Sequence, residues 1–73
     1  MLNYTENDRQ FIEKNFENAA QLLASSSRRE VLLTIENLIE QKGFAPPHYY
    51  DYNDFGRKAQ TVYDSIYQNN EKS

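Results

Sequence analysis

Ser27-Arg28-Arg29-Glu30-Val31-Leu32-Leu33-Thr34-Ile35-Glu36-Asn37-Leu38-Ile39-Glu40-Gln41-Lys42-Gly43 carries helix signals at both ends and a helical rhythm between them. Ser27 and Glu30 have capping-box spacing, in which the serine oxygen accepts from the amide three residues on and the glutamate reaches back. Val31, Leu32, Ile35, Leu38 and Ile39 fall within a single wide face, the spacing of an amphipathic helix. Leu33 points away from that face, so it meets another helix or stands exposed. Lys42 suits the negative end of the helix dipole, and Gly43 is the expected C′ stop.

Upstream, the spacing predicts one helix from about Glu6 to Ala24. Thr5 is its N-cap, and Glu6 and Asp8 sit where the positive end of the dipole favours acids. Ile12, Phe16, Ala19, Ala20 and Leu23 form its apolar stripe, with Phe11 and Leu22 flanking. Arg9 and Glu13 are spaced to pair. Ser25-Ser26-Ser27 ends this helix and starts the next.

Downstream lies Phe44-Ala45-Pro46-Pro47-His48-Tyr49-Tyr50-Asp51-Tyr52-Asn53-Asp54-Phe55, with five of the ten aromatic residues and both prolines. Pro46 and Pro47 cannot continue a helix and push Ala45 to an extended conformation, which makes a stiff connector. A last helix begins near Asp54, or near Arg57 if Gly56 is a turn. Phe55, Ala59, Val62, Tyr63 and Ile66 share its apolar face, with Tyr67 at the edge. No strand alternation of useful length appears. The fold expected is all-α: a small antiparallel bundle of three main helices, with a Pro/Tyr-rich connector before the last. Residues 1–73 are read as one domain, with frayed ends at about 1–4 and 69–73.

Composition narrows the function. Eight basic and eleven acidic residues give a net charge of −3, spread along the chain. That balance disfavours non-specific nucleic-acid binding. There is no cysteine, hence no disulfide and no thiolate metal site, which fits a reducing compartment. The longest apolar run, Val31-Leu32-Leu33, is far below the ~20 residues of a membrane span. Met1 to Glu6 has neither a basic start nor an apolar stretch, so no signal peptide is expected and a cytoplasmic location is.

Catalysis finds little support. His48 is the only imidazole, and as a base or ligand it would need companions beyond Asp51 and Asp54. Ser25, Ser26 and Ser27 are explained by capping and lack a nucleophile-elbow context. Asp51-Tyr52-Asn53-Asp54-Phe55-Gly56 matches the opening of a calcium loop at its first, third and sixth positions. It fails at Phe55 and at Val62, where ligand oxygens are needed. Two glycines, Gly43 and Gly56, cannot build a phosphate cradle. The reading is of a protein that is not an enzyme, with no cofactor, no metal and no small-molecule substrate.

Two binding functions remain. The first is a protein-binding module of a regulatory or inhibitory kind. Phe44 is expected to fold back on its helix and Phe55 to join the last one, which leaves Tyr49, Tyr50 and Tyr52 without a core position. Tyrosine supplies rigid contact area with a polar tip. Tyr49, Tyr50, Tyr52, His48 and Leu33 are the candidate interface residues. The partner is another protein, or a second copy in a homodimer. The alternative is DNA binding. In it, the segment from Pro47 to Phe55 forms a helix, Gly56 a turn, and Arg57-Lys58-Ala59-Gln60-Thr61-Val62-Tyr63 opens a recognition helix. That stretch resembles the recognition helices of winged helix-turn-helix repressors. The resemblance implies a helix in the major groove with Arg57, Lys58, Gln60 and Thr61 toward bases. Arg28 and Arg29 are candidates for added phosphate contacts.

Overall fold

The computed structural model describes residues 2–44 and 51–71. It is all-α. Four helices follow in chain order: α1 (Glu6–Asn15), α2 (Ala19–Ala24), α3 (Arg28–Lys42) and α4 (Asp54–Asn69). Among the described residues there is no strand, only an isolated antiparallel bridge between Phe44 and Tyr52.

The single helix expected over Glu6 to Ala24 is two helices. At Phe16 the backbone turns extended, with φ −129° and ψ 128°. Asn15 Nδ2 donates to the Phe11 carbonyl at 2.8 Å, a side-chain bond that competes with helix continuation. Asn18 then serves as the N-cap of α2. The break buries Phe11 and Leu22, which were expected only to flank the stripe, and exposes Ala20. Phe16 is half-buried against the core.

Thr5 does more than cap α1. Its Oγ1 accepts from the Asp8 amide at 3.1 Å, and Asp8 returns a carboxylate oxygen to the Thr5 amide at 3.4 Å. This completed box is the one the sequence did not single out. At Ser27 only half of the expected box forms. Its Oγ accepts from Glu30 at 3.2 Å, while its own amide donates to Ser25 Oγ at 3.1 Å.

α4 is packed against both α3 and α1. The core runs through Leu2, Phe11, Ile12, Leu22 and Leu23, the α3 face of Val31, Leu32, Ile35, Leu38 and Ile39, and Ala59, Val62 and Ile66 of α4. The faces read for α3 and α4 are therefore the buried ones. The ends expected to fray meet instead. Leu2 is buried, and Asn70 brackets the Asn3 backbone, accepting from its amide at 2.7 Å and donating to its carbonyl at 2.9 Å. Met1, Lys72 and Ser73 lie outside the described residues.

α3 and α4 run in opposite directions, because their opposite ends meet. Arg28 at the start of α3 donates to the Asn70 carbonyl just past α4, at 3.2 Å. At the other end Gly43 meets Gly56. A Cβ on Gly56 would overlap the Gly43 carbonyl, and one on Gly43 would lie 2.7 Å from the Ile39 oxygen and 3.1 Å from the Gly56 Cα. Gly43, expected as the stop of α3, does follow its last residue as the C-cap. Its φ is −93°, so close backbone approach is what requires glycine there. Gly56, expected as a turn in the DNA-binding alternative, is buried inside the first turn of α4.

Candidate protein-binding surface

Arg29, Leu33, Glu36 and Glu40 recur at intervals of four, three and four residues. At 3.6 residues per turn this puts them on one narrow stripe of α3. All four are exposed. Gln60, Tyr63 and Tyr67 have the matching spacing on α4. Together they line the outer crevice between the two helices.

Two hollows open along that crevice. One, of about 300 Å³, is lined by Glu36, Ile39, Glu40, Phe44, Tyr52, Gln60 and Tyr63. The other, of about 290 Å³, is lined by Arg28, Arg29, Leu32, Leu33, Tyr63 and Tyr67. Tyr63 belongs to both, so the surface is continuous. Leu33 and Tyr67 are each 46% exposed and are the exposed large hydrophobic side chains among the described residues. Both border the second hollow. A large apolar group left in water is the informative exception when two of them sit together.

The crevice is held from both ends. The Arg28 guanidinium carbon lies 4.9 Å from the centre of the Tyr67 ring, a cation–π distance that fixes the ring while leaving its outer face open. At the far end Phe44 and Tyr52 stack with ring centres 5.2 Å apart. The Tyr52 hydroxyl donates to Gln60 Oε1 at 3.1 Å, and Gln60 Nε2 donates to Asp64 at 3.0 Å. Asn53 joins the two helices. Its Oδ1 accepts from the Gly56 amide at 2.7 Å, its Nδ2 donates to the Lys42 carbonyl at 2.7 Å, and its amide donates to the Gly43 carbonyl at 2.9 Å.

The sequence candidates separate accordingly. His48, Tyr49 and Tyr50 lie outside the described residues. Tyr52, read as having no core position, is half-buried and packs against the core through Phe44. Leu33 is exposed, as one of its two expected settings. The geometry expected for the DNA-binding alternative does not form: α4 starts at Asp54, ahead of Arg57, and Asp51 to Asn53 are not helical. Arg57 pairs with Asp54 at 3.0 Å, and the Thr61 hydroxyl donates to the Arg57 carbonyl at 2.9 Å. Lys58 is exposed beside Phe11 and Phe55. Arg28 lies by Tyr67, ten residues along α4 from Arg57, a distance of about 15 Å. The basic candidates thus fall at opposite ends of α4.

Tyr63, Tyr67, Glu36 and Glu40 were not singled out as site residues. Their signal was present in the spacing of the polar side of α3 around an out-of-phase Leu33, and in the aromatic edge of α4.

One polar cluster lies elsewhere. Asp8 is 1% exposed and accepts from the Ser65 hydroxyl at 2.7 Å. The nearby Tyr4 hydroxyl is buried without a hydrogen-bond partner. Burial first, and then the charge of Asp8, raise its pKa above the ordinary tyrosine value. The cluster is a helix cap tied to α4. In the segment of the partial calcium-loop match, Asn53 is committed to capping and Asp54 to its ion pair with Arg57. Among the described residues no three His, Cys, Asp or Glu side chains converge as a metal site, and no helix is long and apolar enough to cross a membrane.

Comparison of the chain with protein-family models, curated proteins and solved structures finds no match.

Proposed function

We propose that the chain is a small, non-enzymatic protein-binding module of a regulatory or inhibitory kind. Its binding surface is the outer crevice of α3 and α4. The observation that carries this reading is the pairing of Leu33 and Tyr67, the two exposed large hydrophobics among the described residues, on one hollow. Tyr63 and the stacked Phe44–Tyr52 pair extend that hollow into an aromatic surface. Rigid aromatic anchors with a charged rim are the composition of interface hot spots. Absence of cysteine supports the cytoplasm as its place of action.

The test is affinity capture from a lysate of the source cells, with and without nuclease, using the wild-type chain and Leu33→Asp/Tyr67→Asp. Circular dichroism verifies that the variant is folded. The wild type should retain a stoichiometric protein that survives nuclease, and the variant should lose it. Equal capture by both would contradict the assigned surface. Capture that disappears with nuclease, and with Arg57→Ala/Lys58→Ala, would point to DNA binding.

A further inference from the structure

The stripe along α3 has a polarity of its own. It reads basic at Arg29, apolar at Leu33, then acidic at Glu36 and Glu40. Among the described residues, the ion pairs are Arg9 with Glu6 and Glu13, and Arg57 with Asp54. Arg29, Glu36 and Glu40 therefore carry charges with no ion pair to any described residue, and all three flank the exposed Leu33.

We infer that the occupant of this surface is a second copy of the chain, docked antiparallel about a two-fold axis beside Leu33. The inference rests on the protein-binding reading of the crevice and names its partner. An isologous interface must be complementary to itself. Reversing the stripe turns basic–apolar–acidic into acidic–apolar–basic, so Arg29 and Glu36 each meet the opposite charge. An axis midway between Arg29 and Glu36 passes within a residue of Leu33. Arg29 and Glu36 then each lie about 5 Å along the helix from the axis, at 1.5 Å per residue. Arg29 of each copy faces Glu36 of the other, with Glu40 about one turn further out. Leu33 meets its own copy at the centre, and the two Tyr67 rings flank it. Apolar burial supplies the affinity, while the two symmetric charge pairs set the register. Because those pairs are exposed, association should weaken as salt rises.

Sedimentation equilibrium on the full chain tests this with a charge exchange. Wild type should show a concentration-dependent dimer. Arg29→Glu and Glu36→Arg each place like charges opposite one another at two symmetric positions, and should each weaken self-association by about tenfold or more. Mixing the two variants restores both pairs, so the mixture should dimerise where neither variant alone does. The double variant Arg29→Glu/Glu36→Arg should dimerise like wild type. Leu33→Asp should be monomeric. All three substituted positions are exposed, so the fold should persist, as circular dichroism would verify.

A wild-type chain that stays monomeric at millimolar concentration would overturn the inference. So would single variants that self-associate as well as wild type, or a mixture that gains nothing. These outcomes leave the protein-binding reading standing if lysate capture still depends on Leu33 and Tyr67. Loss of that dependence together with a monomeric chain would remove both.

Discussion

Gly56 shows most directly how a single residue sets this structure. It lies inside a helix, where alanine is intrinsically better by up to about 1 kcal/mol. Yet a Cβ there would overlap the Gly43 carbonyl. Gly56→Ala should therefore destabilise the chain, by about 2 kcal/mol, because the ends of α3 and α4 must separate. Urea unfolding followed by circular dichroism reads this directly, and a stabilised variant would contradict the close approach. Tyr4 makes a second residue-scale prediction. Its hydroxyl is buried and unpartnered, and its pKa is raised above 10.0 by burial and by Asp8. A raised folded pKa means the neutral phenol is favoured in the fold. The stability linked to it is intact below about pH 10 and is lost as pH rises through the folded pKa. Tyr4→Phe should be at least as stable as wild type at pH 7, since no hydrogen bond is removed. It should also lose less stability between pH 9 and 11. Equal losses in the two proteins would exclude Tyr4 as the titrating group.

At the scale of elements, Asn53 couples two helices with one side chain. It caps the start of α4 and donates to the last carbonyl of α3. Asn53→Ala should cost about 2 kcal/mol, more than an ordinary cap, because both helix ends lose a partner. A loss below about 0.5 kcal/mol in the urea midpoint analysis would contradict this double role. The same scale shows what the sequence made legible. α3 was readable from Ser27 to Gly43 because its cap, its apolar face and its stop are all local features. The sequence allows α4 to start at Asp54 or at Arg57, and the structure begins it at Asp54, but its apolar face was readable in the same way. The break at Phe16 was not. Residues 6 to 24 keep a tolerable helical rhythm, and what favours the break is the burial of Phe11, Leu22 and Leu23 against distant elements. Likewise Gly43 reads locally as the helix stop that it is, and only its meeting with Gly56, thirteen positions away, shows its second use.

The whole molecule places an apolar and aromatic crevice on the outer side of its α3–α4 pair. The sequence located half of it. Leu33 stood out because it is out of phase with the buried face of α3. Tyr67 read only as the edge of a helix face, since its exposure depends on how α3 and α4 lie side by side. Tyr52 reads as lacking a core position because its half-burial depends on stacking on Phe44 and a bond to Gln60, each eight residues away, across a connector and a helix start that have no common periodicity. At this scale the prediction is one of contact. A photoreactive amino acid at position 33, with the same group at Glu13 on the exposed side of α1 as control, reports what touches the crevice in cells. The account predicts specific protein crosslinks, to a second copy or to another chain, from position 33 and not from position 13. Crosslinks of equal yield from both positions, or none from position 33, would contradict the claim that this surface is where the protein binds.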